Sequence, residues 1–399
     1  MNMNGSGMIS VPAPVEMDSV LPSAGRHVKL EPSVIGCRVC AAEGTIVPNE
    51  PCVGIVANPA SARDIRRLVA DASAHTAHDK VNILKRVMAG LGRAGIDRAI
   101  SMTDRSGVSA GLARASTMGS ARGWPALEFV DWQPTGTSRD TVDATRFMLE
   151  RGAGAIVVLG GDGTHQLVAE FCGATPLVGI STGTNNAFPA AVEPTVAGLA
   201  AGLVAAGAVS VDAAADQAKY LLVEHGDRRY TALVDVAVIR VDRIGSGAVW
   251  QPEAIDELYL TFARADAIGL SSIGGHVQPV GRYEPMGLAL RFGSAEPTGS
   301  APDQRDRSGD RLRVTVPIGP GRLADLTVAS CTKLAPDRPT TVLADHGVVA
   351  IDGERRFRFG PADGADLTIT LRTDGPFLID VAATLDQAAR AGLLISPDR

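Results

Sequence analysis

Two different hydrophobic periods divide the chain near residue 210. Before this point, short apolar runs such as 52–57 alternate with longer segments whose apolar residues recur every three or four positions, as on one face of a helix. After it, apolar and polar residues alternate at every second position, for example over 311–318 and 367–373, which is typical of half-buried strands. The pattern predicts an α/β domain followed by a mostly β domain.

The first region, residues 49–208, alternates predicted strands with predicted helices. The strands are "CVGIVA", "RAISMTD", "ALEFVDW", "AIVVLG" and "PLVGI", and the helices are "KVNILKRVMAGLGRAG", "SRDTVDATRFMLERGAG", "THQLVAEFCG" and "EPTVAGLAAGLVAAGA". Strands that alternate with helices of this length pair in parallel, with helices on both faces of the sheet. We therefore predict a Rossmann-like α/β domain with a parallel sheet.

The second region, residues 209–376, is predicted to be a mostly antiparallel β-sandwich. Its segment 293–310, rich in polar residues, Gly and Pro, is expected to be a mobile loop. Residues 377–396 predict a strand and a helix that can return to the first domain. Residues 1–48 are rich in Pro, Gly and Ser and are expected to form a loosely ordered arm.

Three loops of small and polar residues follow three of the predicted parallel strands. They are "NPASA" (58–62), "GGDGT" (160–164) and "STGTNN" (181–186). The carboxyl ends of parallel strands meet at one edge of the sheet, where open α/β sheets bind ligands. Glycine lets a ligand approach the backbone closely, and the helix after the second loop offers N–H groups to an anion. The sequence therefore predicts a phosphate-binding edge.

Asp162 lies inside the second loop, where its charge repels phosphate. Two functional roles fit it: a base that takes the proton of an attacking hydroxyl, or an acid that holds Mg²⁺ against the phosphates. The structural alternative is an N-cap in a tight turn. His165, directly after the loop, can bind phosphate or move a proton, although a His in a first helical turn is more often merely half exposed.

Charge and composition narrow the function classes. The 399 residues carry a formal net charge of −6 and 45% hydrophobic residues, with no long basic run, so we expect neither nucleic acid nor a membrane surface as a partner. The five cysteines are scattered, which suits a reducing compartment. No basic, apolar leader or long apolar run is present, and the sequence predicts a cytoplasmic location.

Together the motifs resemble those of the NAD kinase and diacylglycerol kinase superfamily. "GGDGT" looks like its signature, and "NPASA" and "GTNN" are similar to the NPxSG and GTGN loops of the lipid-kinase branch. "AIDGE" (350–354) resembles the turn that these enzymes send from the β domain to the site. The combination is most similar to the acetoin-catabolism AcoX family, which is NAD-kinase-like.

The resemblance implies an NAD-kinase-type fold, ATP as the phosphoryl donor, Mg²⁺, a small-molecule acceptor and a homo-oligomer. It implies Asp162 as the catalytic residue. The nucleotide would bind Asn58, Ser61, Gly160, Gly161, Gly163, Thr164, Thr184, Asn185 and Asn186. The acceptor would bind Asp235, His276, Asp352 and Glu354, and the metal would bind Asp162, Asp352 and Glu354.

The sequence departs from the NAD kinases at the residues that hold the acceptor. Their Asn-Glu pair grips the NAD ribose, whereas the matching "ALVDV" has Val234 and Asp235, and a valine cannot form hydrogen bonds through its side chain. The segment "LSSIGG" (270–275) also lacks the threonine-rich PTGST sequence of the NAD kinases. We predict an ATP-dependent phosphotransferase that acts on NAD or another small metabolite, and the resemblance links it to acetoin catabolism. The alternatives are a non-catalytic nucleotide sensor and a kinase for a different hydroxylated metabolite.

Overall fold

The computed structural model describes residues 50–59, 75–183, 186–240, 251–293 and 311–395. Several predictions fall outside these ranges: the arm over 1–48, the residues Ser61, Thr184 and Asn185, and nearly all of the loop over 293–310. Within the described residues, no helix is long and apolar enough to cross a membrane.

The elements are named in chain order. The strands are β1 Cys52–Ala57, β2 Arg98–Ser101, β3 Ala126–Phe129, β4 Ala155–Gly160, β5 Leu177–Ser181, β6 Ala215–Gln217, β7 Tyr220–His225, β8 Arg228–Ala232, β9 Asp235–Ile239, β10 Ile255–Leu260, β11 Gly287–Phe292, β12 Leu312–Gly319, β13 Arg322–Leu334, β14 Pro339–Thr341, β15 Gly347–Ile351, β16 Glu354–Phe359, β17 Leu367–Arg372 and β18 Phe377–Ile379. The helices are α1 Ala77–Arg93, α2 Val108–Ser116, α3 Arg139–Glu150, α4 Asp162–Ala169, α5 Pro194–Ala205, α6 Val211–Ala214, α7 Leu270–Val277 and α8 Val381–Arg390.

The first sheet has the strand order β3-β2-β1-β4-β5-β18-β6. Strand β1 pairs in parallel with β2 and β4, and β4 pairs in parallel with β5. Every residue of β1 and β4 is buried, because helices cover both faces of the sheet, and this explains their unbroken apolar runs. The prediction of an α/β domain with a parallel sheet is confirmed.

Helices α1 and α5 pack against each other through glycines. A Cβ atom on Gly90 would lie 2.2 Å from the carbonyl oxygen of Thr195, and one on Gly198 would lie 2.3 Å from that of Val87. Any larger residue at either position would push the two helices apart. The end of the chain also lies on this sheet, because Leu378 of β18 pairs in parallel with Leu177 of β5.

The second half of the chain forms two antiparallel sheets with the strand orders β12-β13-β11-β10-β9-β15-β16 and β14-β17-β7-β8. Apolar residues of both sheets share one core, among them Val223, Val238 and Ile369. Helix α7 packs in a separate core with the larger sheet. The prediction of a mostly antiparallel second region is confirmed, and alternation of apolar and polar positions along the strands follows from burial on one face.

The apolar segment over 230–239 is divided between the two antiparallel sheets. Strand β8 ends at Ala232 in the smaller sheet, and β9 begins at Asp235 in the larger one. The two residues between them, Leu233 and Val234, donate their backbone N–H groups to the carboxylate of Asp352 instead of to a neighbouring strand. This crossing between sheets brings Asp352 to the candidate site.

Candidate functional site

Backbone hydrogen bonds hold the three loops side by side at the carboxyl edge of the first sheet. The N–H of Asn58 donates to the carbonyl of Leu159 at 3.0 Å, and the N–H of Thr182 donates to that of Gly160 at 3.1 Å. The amide Nδ2 of Asn58 also donates to Oγ1 of Thr164 at 2.8 Å. The predicted nucleotide residues that the structure describes therefore lie together.

Close packing at this edge explains the small residues of the loops. A Cβ atom on Gly161 would lie 2.9 Å from Oδ1 of Asn186, and one on Gly160 would lie 2.5 Å from the side chain of Thr164. Asn186 is held in turn by a bond from its Nδ2 to Oγ of Ser181 at 2.7 Å. By contrast, a Cβ atom on Gly163 would meet nothing within 4 Å, so the first turn of α4 is open to a ligand.

The carboxylate of Asp162 is buried and fixed by the third loop. Its Oδ2 accepts the N–H of Ala187 at 3.1 Å, and its Oδ1 accepts the N–H of Phe188 at 2.9 Å. The N-cap of α4 is Gly161, and no side chain caps this helix. The N-cap interpretation of Asp162 is therefore wrong: the acid binds a separate segment, and two charge-assisted bonds set its orientation.

Asp352 approaches from the β domain in the tight turn between β15 and β16. Its φ of 48° and the φ of 76° at Gly353 are typical of an Asp-Gly hairpin turn. Its carboxylate accepts the N–H groups of Leu233 at 3.0 Å, Val234 at 2.8 Å and Asp235 at 3.2 Å. Burial raises the pKa of Asp352 to about 7, the three hydrogen bonds oppose this rise, and the charge of nearby Asp162 adds to it.

The other predicted acceptor residues divide into two groups. Asp235 is buried, and its Oδ1 accepts the N–H of Gly353 at 3.1 Å, which locks it to the Asp352 turn. Glu354 and His276 are exposed. The structure brings Asp162, Asp235 and Asp352 together and leaves Glu354 and His276 at the surface.

The acidic residues fit one kind of metal site only. Among the residues that the structure describes, no group of three or more His, Cys, Asp or Glu side chains could hold an ion. Asp162 and Asp352 are close enough to interact electrostatically. One or two carboxylates are the donors that Mg²⁺ uses when phosphates and water complete its shell. The pair fits Mg²⁺ that arrives with a nucleotide, and not a metal cage made by protein alone.

Three residues at the site escaped the sequence analysis. Lys80, buried in the first turn of α1, donates from Nζ to the carbonyls of Asn58 at 2.8 Å and Pro59 at 3.1 Å. The sequence feature that could have indicated the burial of Lys80 is its position one helical turn before the apolar residue Leu84. Gln166 donates to the carbonyl of Thr231 at 2.9 Å and so ties α4 to the β domain.

The third missed residue is Arg282, which lies between β10 and β11. Its Nη2 donates to the carbonyl of Ala187 at 2.8 Å, and its guanidinium lies 4.3 Å from the ring centre of Phe262 and 5.1 Å from that of Phe188. An arginine among Gly, Pro and Tyr in "PVGRYEPMG" carried no periodic signal that could assign it to the site.

His165 does not lie half exposed, as a first-turn histidine often does. It is fully buried, and its Nδ1 lies 2.9 Å from the carbonyl of Gly161. Burial lowers its pKa to about 4, so the ring is neutral near pH 7, and its contact with the carbonyl of Gly161 supports the glycine loop.

An apolar cluster forms around Val234, the residue that the motif resemblance matches to the Asn of the NAD kinase Asn-Glu pair. Val234 packs there with Leu233, Phe262 and Phe188, all of which are buried. The segments come from both halves of the chain, so the cluster joins the glycine edge to the β domain. The apolar side chain at 234 is part of a packed unit and not an isolated substitution.

Comparisons with known proteins agree with this geometry. Residues 53–209 match the model of the ATP-NAD kinase N-terminal domain, and residues 219–373 match that of the Acetoin catabolism protein X C-terminal domain. The chain is 41% identical to Acetoin catabolism protein X of Cupriavidus necator over 362 residues, which cover 89% of this chain and 97% of that protein. The chain belongs to the acetoin catabolism protein X family. Its glycine loops fall in the kinase-like part, and Asp352 and Arg282 fall in the C-terminal domain of that family.

Proposed function

We propose that this protein is an ATP-dependent phosphotransferase that phosphorylates a hydroxyl group of NAD or of another small metabolite in acetoin catabolism. The convergence of three phosphate-type loops on Asp162, with Asp352 added from the β domain, is the observation that carries the proposal. The match to the ATP-NAD kinase N-terminal domain supports the donor, and the similarity to Acetoin catabolism protein X supports the metabolic setting.

The phosphates of ATP would lie at the open first turn of α4. Gly163 leaves space there, and a helix start offers N–H groups and the positive end of the helix dipole. Thr164 and Asn58, joined by a hydrogen bond of 2.8 Å, would contact the phosphates from the side. Mg²⁺, held by Asp162 and Asp352 together with the phosphates, would neutralise charge that develops during the transfer.

Asp162 is suited to take the proton of the acceptor hydroxyl. Two backbone N–H groups hold its carboxylate in one orientation. Fixing a base in the geometry of the reaction removes the entropy cost of orienting it. The acceptor would then lie between Asp162 and the β domain, with its hydroxyl aligned to the γ-phosphate.

Mass spectrometry can test the proposal directly. The protein would be incubated with Mg²⁺ and γ-¹⁸O-labelled ATP in two arms, one with NAD and one with a metabolite extract from cells that degrade acetoin. We expect a product that is heavier than its acceptor by one labelled phosphoryl group, in at least one arm, and no such product with Asp162→Asn. Absence of a labelled product in both arms, despite ATP binding, would contradict the proposal.

A nucleotide sensor without catalysis is the second candidate. The apolar cluster around Val234 favours it, because the side chain that would grip a ribose is replaced by packed valine. Calorimetry and the labelled-ATP assay together distinguish the two candidates. A sensor binds ATP or NAD tightly in calorimetry and transfers no labelled phosphoryl group to any acceptor offered.

A further inference from the structure

A cavity of about 600 Å³ is lined by Ala187 and Phe188, the two residues whose N–H groups bind the carboxylate of Asp162. Its walls come from the loop after β5, the segments before α7 and β11, and the start of α8, and they include Asn186, Phe188, Arg264, Arg282, Tyr283 and Asp380. Cavities of this size hold small metabolites and nucleotides. The residues of the glycine loops that face phosphate do not line it, apart from Ser181 and Asn186 at its rim.

Arg282 is the charged residue of this wall that keeps a buried N–H group without a hydrogen-bond partner among the described residues. The guanidinium of Arg264 pairs with Asp266, with Nε and Oδ1 separated by 2.9 Å, and the carboxylate of Asp380 accepts the N–H of Ala383 at 2.9 Å. For Arg282, the bond from Nη2 to the carbonyl of Ala187 is neutral, and Nη1 is buried without a hydrogen-bond partner. The carboxylate of Asp162 acts electrostatically on Arg282, and the acid Asp380 lies in the same wall, so Arg282 offers a ligand an unfilled N–H donor.

The surroundings of Arg282 hold it in place. The rings of Phe262 and Phe188 flank the guanidinium at 4.3 Å and 5.1 Å. Its loop is held by buried Lys219, whose Nζ donates to the carbonyls of Gly281 at 3.0 Å, Glu284 at 2.6 Å and Met286 at 2.6 Å. A fixed guanidinium is well suited to carboxylate and phosphate oxygens.

We propose that this cavity binds a small hydroxylated metabolite through a carboxylate or phosphate group that pairs with Arg282. Ala187 links this anchor to Asp162, since its carbonyl accepts from Arg282 and its N–H donates to Asp162. The identity of this ligand as the phosphoryl acceptor rests on the proposed function; the binding of an anion does not.

Calorimetry without ATP tests the site. The full chain would be titrated with glycerate, with glycerol 3-phosphate and with uncharged glycerol. We expect one or both anions to bind and glycerol not to bind, and the better anion identifies the class of ligand. Arg282→Met should weaken that binding at least about 10-fold, because a charge-assisted pair is lost, and Arg282→Lys should weaken it less. Arg139→Met, which removes an exposed arginine of α3, is the matched control and should not change binding.

A second variant covers the case in which Arg282→Met does not fold. Ala190 lines the cavity and is exposed, so Ala190→Trp should fill the space, keep the melting temperature near that of the wild type, and abolish anion binding. Failure of the wild type to bind either anion, or unchanged binding by a folded Arg282→Met protein, would overturn the inference. Anion binding that depends on Arg282, with no phosphoryl transfer, would instead uphold the inference and refute the proposed function.

Discussion

The two sides of Asp162 are built in opposite ways. On the glycine side, backbone groups and small side chains leave the first turn of α4 open at Gly163. On the cavity side, bulky residues such as Phe188 and Phe262 surround a single arginine. Backbone groups serve a ligand group that is always the same, such as a phosphate, whereas side chains can be changed to suit different acceptors. Under the proposed function, the donor would be fixed by the fold, and the acceptor would be specific to this family.

The two sides are nevertheless mechanically joined. Gln166 of α4 donates to the carbonyl of Thr231 and accepts from Nη2 of Arg356 at 3.2 Å. Ala187 and Phe188 bind Asp162 through their N–H groups while Phe188 packs in the apolar cluster. A substitution on one side of Asp162 should therefore also affect the other side.

Asp162→Asn should have the largest effect, because Asp162 belongs to both sides. An amide cannot take a proton from a hydroxyl, and its NH₂ group opposes one of the two N–H groups that the carboxylate accepts. We expect phosphoryl transfer to fall at least about 10²-fold, which is typical for the loss of a catalytic acid or base. Transfer would be measured with labelled ATP and the acceptor found by mass spectrometry.

The control for this variant is Asp143→Asn, which makes the same change on the surface of α3, where Asp143 pairs with Arg139. Both proteins should have circular dichroism spectra like that of the wild type. Turnover of Asp162→Asn within a few fold of the wild type would eliminate the role assigned to this carboxylate.

His165→Gln should remove a pH dependence of stability that comes from the glycine side. Because burial lowers the pKa of His165 from 6.5 to about 4, the unfolded chain binds a proton more readily than the folded protein. The contribution of neutral His165 to the free energy of unfolding is therefore fully present above pH 6.5 and is lost as the pH falls towards 4. The loss amounts to at most about 3 kcal/mol.

The titration of Asp352 changes stability with pH in the opposite direction, so the measurement has to separate its effect from that of His165. Its pKa is raised to about 7, so the folded protein binds this proton more readily and loses stability as the pH rises from 4 to 7. Urea unfolding at several pH values would give the free energy of unfolding of wild type and His165→Gln. The advantage of the wild type should shrink below pH 6.5; a pH-independent difference would show that His165 titrates normally.

Val234→Asn tests the cavity side by restoring the residue type of the NAD kinases. Val234 is 1% exposed within the apolar cluster, and a buried amide without partners costs about 2 kcal/mol. We expect a lower melting temperature and no gain of NAD phosphorylation, because the surrounding residues also differ. Val234→Ala is the control for lost packing alone. Appearance of NADP would mean that this single side chain decides the acceptor.

Much of the glycine side could be predicted from the sequence. The apolar run of β4, the glycines after it and the periodic helix that follows are consecutive in the chain, so local rules place them. Strand adjacency then follows from the alternation of strands and helices. Even here, the N-cap interpretation of Asp162 was wrong, because the N–H groups that bind it belong to Ala187 and Phe188, about 25 residues further along the chain.

The cavity side could not be predicted in the same way. Phe188, Val234, Phe262 and Arg282 each come from a different segment, and no periodicity connects residues that meet only through the packing of two domains. The crossing at Leu233 escaped prediction for the same reason, since its N–H partner, Asp352, is 119 positions away. The resemblance to kinases also supplied Glu354 and His276, which are exposed.

Gly163→Ala should have the smallest effect on the fold and isolates the donor. A Cβ atom at this position meets nothing within 4 Å, and alanine is favoured over glycine in a helix by up to about 1 kcal/mol. The melting temperature should therefore stay the same or rise, whereas the added methyl group would occupy space needed by a phosphate and weaken ATP binding about 10-fold or more in calorimetry. Gly119→Ala, at another open glycine, should leave ATP binding unchanged. Since stability and affinity move in opposite directions, misfolding cannot imitate this result. Wild-type affinity for ATP in Gly163→Ala would place the phosphates elsewhere and remove the donor half of the comparison.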